Sequence, residues 1–290
     1  MSDQDKSMSF LNDPETANGT RKSAAPRRRA NQLDGKAWTR YSISVWSDIR
    51  KTPQEAALKH PAMFPLELPR RLIEIFMRDN DRVVLDPFVG AGSTVLAAHL
   101  LGKQGIGIDV SETYSSLARQ RLGQKSLFVT DDCQCRIHTA DAHMVDELVV
   151  PGSVDLVITS PPYWNILLQK RSADYKPQRE YAAGLEDLGK IADYQEFLNA
   201  LKGIFGQVRK SMRPGAYCCV IVMDLRKKDR FYPFHSDIAS FMQDLGFIYD
   251  DIIIWDRRHE YNNMRPLGYP SVFRVNKAHE YILLFLNPVK

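Results

Sequence analysis

Short, strongly apolar runs alternate with amphipathic ones along most of this chain. Strands are expected at 81–85, 105–109, 154–158, 216–222, 248–255 and 280–285, each a β-branched or apolar run bounded by turn residues. A further strand is expected at 137–141, with Phe128-Val129 as a candidate edge. Helical spacing falls between them. Leu68, Leu72, Ile73, Ile75 and Phe76 mark a helix over 66–77, and Phe197, Leu198, Leu201, Ile204, Phe205 and Val208 mark one over 194–212. An Ala/Leu-rich helix follows Thr94, and others cover 111–122 and 236–245, the last closed by Gly246. This alternation predicts an α/β fold, a mixed, mostly parallel sheet flanked by helices. The opening lacks a pattern. Residues 1–36 read as a disordered basic arm, the folded part beginning near Trp38 and one domain filling 37–290.

Composition narrows the class. A length of 290 residues with 44% hydrophobic and 26% charged suits one large soluble domain. No apolar run approaches a membrane span and the polar N-terminus lacks a signal-peptide core, so a cytoplasmic protein is expected. Cys133, Cys135 and the adjacent Cys218 and Cys219 match neither a zinc pattern nor a disulfide framework. Cys218 and Cys219 sit in an apolar run and are expected in the core, with Cys133 and Cys135 as surface thiols. His259 and His279 have no metal partners at useful spacing, and no metal site is expected. The net charge of +4 is small but unevenly placed, with Lys22, Arg27, Arg28 and Arg29 clustered in the arm. Such a cluster reads equally as a solubilising tail or as an arm that settles on phosphates.

Three stretches carry chemistry. The strand ending at Leu85 runs into Asp86-Pro87-Phe88-Val89-Gly90-Ala91-Gly92-Ser93-Thr94, a glycine-bearing turn between strand and helix of the kind that lets backbone approach a nucleotide-like ligand. Ser93 or Thr94 also suits a helix cap. The third glycine of the dinucleotide fingerprint is missing, which argues against a dehydrogenase. Asp109 ends the next strand at the spacing of a ribose-binding carboxylate. The run 154–158 then enters Thr159-Ser160-Pro161-Pro162-Tyr163, where two prolines fix a stiff corner at a strand end. The Ser160 hydroxyl, the Pro161 carbonyl and the flat ring of Tyr163 suit a planar base carrying an exocyclic amine.

These stretches resemble the amino-methyltransferases, which methylate exocyclic nitrogens of adenine or cytosine in DNA. Thr159-Ser160-Pro161-Pro162-Tyr163 is similar to the family's catalytic corner, and Asp86 to Thr94 matches its cofactor loop nearly residue for residue. His60-Pro61-Ala62-Met63-Phe64-Pro65 resembles the segment packing against the methionine end of S-adenosylmethionine, and His279-Glu280-Tyr281 the closing segment. The resemblance covers about residues 41 to 286. It implies a Rossmann-like class I methyltransferase fold with S-adenosyl-L-methionine as cofactor and double-stranded DNA as partner.

On that resemblance the catalytic residues are Ser160, Pro161, Pro162 and Tyr163. The cofactor residues are His60, Pro61, Phe64, Pro65, Asp86, Pro87, Phe88, Gly90, Gly92, Ser93, Thr94, Asp109, Asp141 and Thr159. Asp141 falls where a carboxylate accepts from the cofactor's adenine amine, with Asp131, Asp132 and Asp146 as neighbouring competitors. Serine leading the prolines looks more like the cytosine-N4 branch than the adenine-N6 branch, and disfavours the RNA guanine and protein glutamine branches. Cytosine-C5 chemistry needs a cysteine after proline, and none of the four has one. Trp164 is expected to share base stacking with Tyr163. Basic, aromatic-studded insertions near 164–193 and 256–279 are expected to contact DNA. No separate recognition domain is expected after the closing strand, so specificity is expected in those loops, in a homodimer or in a partner specificity subunit. A non-catalytic nucleic-acid-binding subunit of the same fold is the alternative.

Overall fold

The computed structural model describes residues 29–58, 63–125, 134–165, 188–260 and 266–289. The apolar runs of the sequence become the strands of one large sheet, and the amphipathic runs become helices packed on it. The strands are β1 (Val45–Trp46), β2 (Val83–Asp86), β3 (Gln104–Asp109), β4 (Arg136–Thr139), β5 (Val154–Thr159), β6 (Met212–Val222), β9 (Ile248–Asp256) and β10 (His279–Leu286). Their spatial order is β1-β9-β10-β6-β5-β2-β3-β4. All neighbours pair in parallel except β10, which is antiparallel to both β6 and β9. The remaining pair, β7 (Leu225–Lys227) and β8 (Arg230–Tyr232), forms a separate antiparallel hairpin. The helices are α1 (Gly35–Tyr41), α2 (Pro53–Ala57), α3 (Glu67–Phe76), α4 (Ser93–Leu100), α5 (Glu112–Lys125), α6 (Val145–Leu148), α7 (Tyr194–Ser211) and α8 (Phe234–Asp244).

Parallel strands are covered on both faces, and successive side chains go to opposite sides. Leu85, Val157, Cys218 and Val220 join one core with Phe197, Leu201 and Phe205 of α7 and Ile238 and Phe241 of α8. Their chain neighbours Val84, Leu156, Ile158, Cys219 and Ile221 join the other, under α3 and α4. Cys218 and Cys219 therefore lie in the core as expected, facing opposite layers, and burial pushes both thiols up. Cys135 is half-buried rather than a surface thiol, its sulfur 3.3 Å from the Gly105 amide. Cys133 and Phe128-Val129 lie outside the described residues.

Order begins earlier than Trp38. Asn31 is buried and donates to the Ile75 carbonyl at 2.9 Å, and Asp34 caps α1, so the chain is anchored from Asn31 onward although most of 29–36 is exposed. Trp38 itself is 50% exposed, and the anchoring ring is Trp46, at 2%. Arg71, on the apolar side of α3, lies 4.6 Å from the Tyr41 ring centroid and 4.9 Å from that of Trp46, and makes paired 2.9 Å bonds to Asp48. That guanidinium holds the Asp48 carboxyl well below the usual carboxylate range. Residues 213–215, between the expected helix and the strand at 216–222, read as a turn. They instead form an irregularity within β6, whose register with β5 passes from Val154↔Met212 to Leu156↔Tyr217, with Gly215 at φ +78°. No helix among the described residues is long and apolar enough to cross a membrane.

Candidate functional site at the strand ends

In this order the chain leaves β2 toward β3 and β4 on one side, then crosses to β5 on the other. Ligands of open α/β sheets sit at such a reversal, outside the carboxyl ends of the strands. A cleft of about 870 Å³, counting its open mouth, occupies that place. Its wall includes Phe64, Pro87, Phe88, Gly90, Ser93, Asp109, Asp141, Ser160, Pro161, Pro162 and Tyr163. The loop after β2, the ends of β3 and β4 and the proline corner after β5 thus meet in one concavity.

The loop is held by backbone bonds and buried side chains. Val89 N–H donates to the Ile108 carbonyl and Gly90 N–H to Asp109 Oδ2, both at 2.9 Å. Ser111 N–H donates to the other Asp109 oxygen at 2.9 Å, so this carboxylate is aimed at the lip of the cleft by two amides. Gly90 has φ +48°, a conformation that favours glycine, and its missing Cβ leaves backbone on the cavity wall. Ser93 Oγ donates to the Phe64 carbonyl at 3.1 Å, drawing the 63–65 segment against the loop. Asp141 accepts from the His143 amide at 2.7 Å and caps the turn Ala142–Met144.

Several expected cofactor residues stand behind this wall rather than on it. Asp86 is buried, accepting from Thr94 Oγ1 and Thr159 Oγ1 at 2.7 Å each and from the Phe88 amide at 3.1 Å. Burial pushes its carboxyl up to about 6, against the pull of the two hydroxyls. The three side chains tie β2, α4 and β5 together beneath the cleft. Gly92 serves packing: with φ +82°, it would place a Cβ 2.7 Å from the Cβ of Ala118 on α5. Pro65 is buried and its carbonyl accepts from Leu68 N–H at 3.1 Å. His60 and Pro61 lie outside the described residues.

At the proline corner the structure adds a residue whose place the sequence did not disclose. The Tyr163 hydroxyl donates to Glu280 Oε2 at 3.0 Å and lies within hydrogen-bonding reach of the Ser160 side chain. Glu280 is 5% exposed and is paired with Arg257, which also holds Glu260 and stacks 4.8 Å over the Trp255 ring. Burial, then the neighbouring Glu280, push the Tyr163 phenol well above its ordinary range, so it stays a protonated donor. With that proton given to Glu280, the phenol oxygen keeps only acceptor capacity toward its neighbours at the corner.

Trp164 departs from expectation. It is buried, at φ +48°, its indole N–H donating to the Ile191 carbonyl at 2.8 Å and its ring boxed by Tyr194 and Tyr232. It braces the corner and offers no face to the cleft. Met63, Val89, Ala91, Val110, Tyr114, Ala142 and Leu188 complete the wall. They are mostly apolar residues; adjacency to the motifs was the one signal for most of them, and Leu188, far from any motif, had none. The insertion 164–193 is described only at its ends, and within 256–279 residues 261–265 lie outside the described set. Among the described residues no group of three His, Cys, Asp or Glu side chains could hold a metal.

The fold and the cleft define an α/β protein with an open cleft at the switch point of a mostly parallel sheet. The chain belongs to the DNA methylase family, whose model matches residues 5–120 and 154–289. It is 36% identical over 85 residues to the type II methyltransferase M2.LlaDCHI of Lactococcus lactis subsp. cremoris, covering 29% of this chain and 31% of that one. To the type II methyltransferase M.MjaI of Methanocaldococcus jannaschii it is 33% identical over 101 residues, covering 34% and 33%. These alignments span about a third of each relative. A solved structure titled as a putative DNA modification methylase of Thermus thermophilus, complexed with S-adenosyl-L-methionine, is 28% identical, covers 52% of this chain and 54% of that one, and superimposes with a TM-score of 0.37.

Proposed function

We propose that this chain methylates the exocyclic N4 of cytosine in double-stranded DNA, with S-adenosyl-L-methionine as the donor. The observation that carries the reading is the cleft in which the Ser160-Pro161 corner faces Asp109, Asp141 and the Gly90 loop. The lining fits such a donor: apolar walls at Phe64 and Phe88, backbone bared at Gly90, and carboxylates at Asp109 and Asp141 for hydroxyl and amine groups. When bound, the donor supplies an electrophilic methyl group on a sulfonium.

This chain's own residues prepare the acceptor. The lone pair of an aromatic amine is delocalised into the ring and is a poor nucleophile. Ser160 Oγ and the Pro161 carbonyl accept its two protons, bias the nitrogen toward sp³ and free the lone pair. The amine becomes strongly acidic only after methylation, so its proton leaves late, to water directly or through Ser160 as that hydroxyl passes its own proton to water, with no strongly shifted base. Tyr163, its hydroxyl fixed by Glu280, gives the extruded base a surface to rest on. Alignment in the cleft supplies much of the remaining rate.

Cytosine is preferred to adenine because serine leads the two prolines. Nucleoside mass spectrometry of DNA from a host lacking both marks, expressing this protein or its Ser160→Ala variant, tests the reading. N4-methylcytosine from the unaltered protein alone supports it. N6-methyladenine instead keeps the chemistry and overturns the choice of base, and neither mark overturns the function.

A further inference from the structure

The hairpin β7–β8 forms in the charged stretch after β6, where no strand was expected. It is built against the catalytic corner: Lys227 Nζ donates to Asn165 Oδ1 at 3.0 Å and lies 3.7 Å above the Trp164 ring, while the Tyr232 ring sits 5.2 Å from that of Trp164. On its outer side the hairpin meets the loop 266–278. Arg274 pairs with Asp229 at 2.9 Å, and Lys277 lies 4.7 Å over the Phe231 ring. The loop has a defined form, since Val272 N–H donates to the Gly268 carbonyl at 2.7 Å, and a Cβ at Gly268 would collide with the Val272 carbonyl. Corner, hairpin and loop are therefore one connected surface.

Its chemistry differs from the rest of the exterior. Hairpin and loop together hold six basic residues and one acid, a net +5 against +4 for the whole chain, so the remainder of the protein is about neutral. Of the four exposed aromatic side chains among the described residues, three are here: Phe231, Tyr269 at 79% and Phe273 at 90%. A solvated basic face has no need of bare phenyl rings, and an apolar protein-docking face would not concentrate cations. Positive charge interleaved with exposed rings matches a nucleic acid, which offers phosphates to the first and base faces to the second.

Resting on the methyltransferase reading above, we infer that the β7–β8 hairpin and the loop 266–278 form one platform that grips duplex DNA beside the cleft. Arg226, Lys228 and Arg230 take backbone phosphates. Phe273, the most exposed of the three rings, enters the stack where the target base has left it. Lys227 couples the grip to the catalytic corner through Trp164 and Asn165.

The test is fluorescence anisotropy of a mixed-sequence duplex against full-length protein with S-adenosylhomocysteine present, repeated over a salt series. The triple variant Arg226→Gln, Lys228→Gln, Arg230→Gln is expected to bind at least about tenfold more weakly. The slope of log K against log salt should be shallower by about 0.9 for each phosphate no longer neutralised. Phe273→Ala should keep that slope but lose the emission rise of 2-aminopurine placed at the methylated position. Cofactor binding by calorimetry should be unchanged in both variants, which excludes misfolding. Unchanged affinity and slope in the triple variant, with the parent protein methylating DNA, overturn the platform alone. A parent protein that binds cofactor but no duplex overturns the proposed function and the platform with it.

Discussion

The two sides of the cleft are built by opposite means. The side formed by β2, β3 and β4 is made of backbone held from beneath: amides of Gly90 and Ser111 on Asp109, and buried hydroxyls on Asp86. The other side is the proline corner, and beyond it, beside the cleft, the β7–β8 hairpin and the loop 266–278 carry long side chains reaching outward, with rings and cations in solvent. A small ligand of fixed shape can be met by a rigid, preorganised wall. A long polyanion is met at many exposed points, each weak and each screened by salt. Each side should therefore fail in its own way when altered.

The largest effect is expected at the corner where the two sides meet. Ser160→Ala should reduce methyl transfer by about a hundredfold or more, the cost of removing one positioned polar group from a reacting centre, with cofactor affinity unchanged. Next, Asp109→Ala should weaken S-adenosylmethionine binding by about 10- to 100-fold in calorimetry, the loss of charge-assisted hydrogen bonds, without altering the salt dependence of duplex binding. A change in salt slope would show that the two sides are not independent.

Glu280→Gln keeps a hydrogen-bond acceptor for Tyr163 but removes the charge that faces Arg257. It should lower kcat by about tenfold, as expected when a charge-assisted bond becomes neutral, while KM for the cofactor holds. A variant with both constants altered and a lowered melting temperature would make Glu280 merely structural. The smallest effect is expected in stability. The folded carboxyl of Asp86 is raised to about 6, so its contribution is full below the unfolded value near 4 and is lost as pH rises through 6. Asp86→Asn should flatten that stretch of the profile in urea unfolding, a change of roughly 1–3 kcal/mol across the window.

What was legible in the sequence follows the same division. The wall side is local: Asp86 to Thr94 is continuous in the chain, and glycine, proline and strand-end carboxylates each have a strong backbone reason for their place. Even there, sequence could not tell wall from support. Asp86, Thr94, Thr159 and Gly92 belong to the motifs, yet the fold sets them behind the cleft. The corner side depends on distant partners. Tyr163 finds Glu280 across 117 positions, a pairing made only when β10 inserts antiparallel beside β6. Trp164 looked like a second stacking ring because an aromatic residue in sequence does not declare which way it faces. The hairpin was hidden by its own charge, since Leu225, Phe231 and Tyr232 are too few to show a period among basic neighbours.

The central claim is that one cleft brings donor and exocyclic amine together at Ser160. The most direct test is transfer of labelled methyl groups from S-adenosylmethionine to duplex DNA by the purified protein, alongside Ser160→Ala at equal cofactor occupancy set by calorimetry. The account predicts label in N4-methylcytosine from the parent protein and a loss of about a hundredfold or more in the variant, although both bind the donor equally. Equal transfer by both proteins would contradict it.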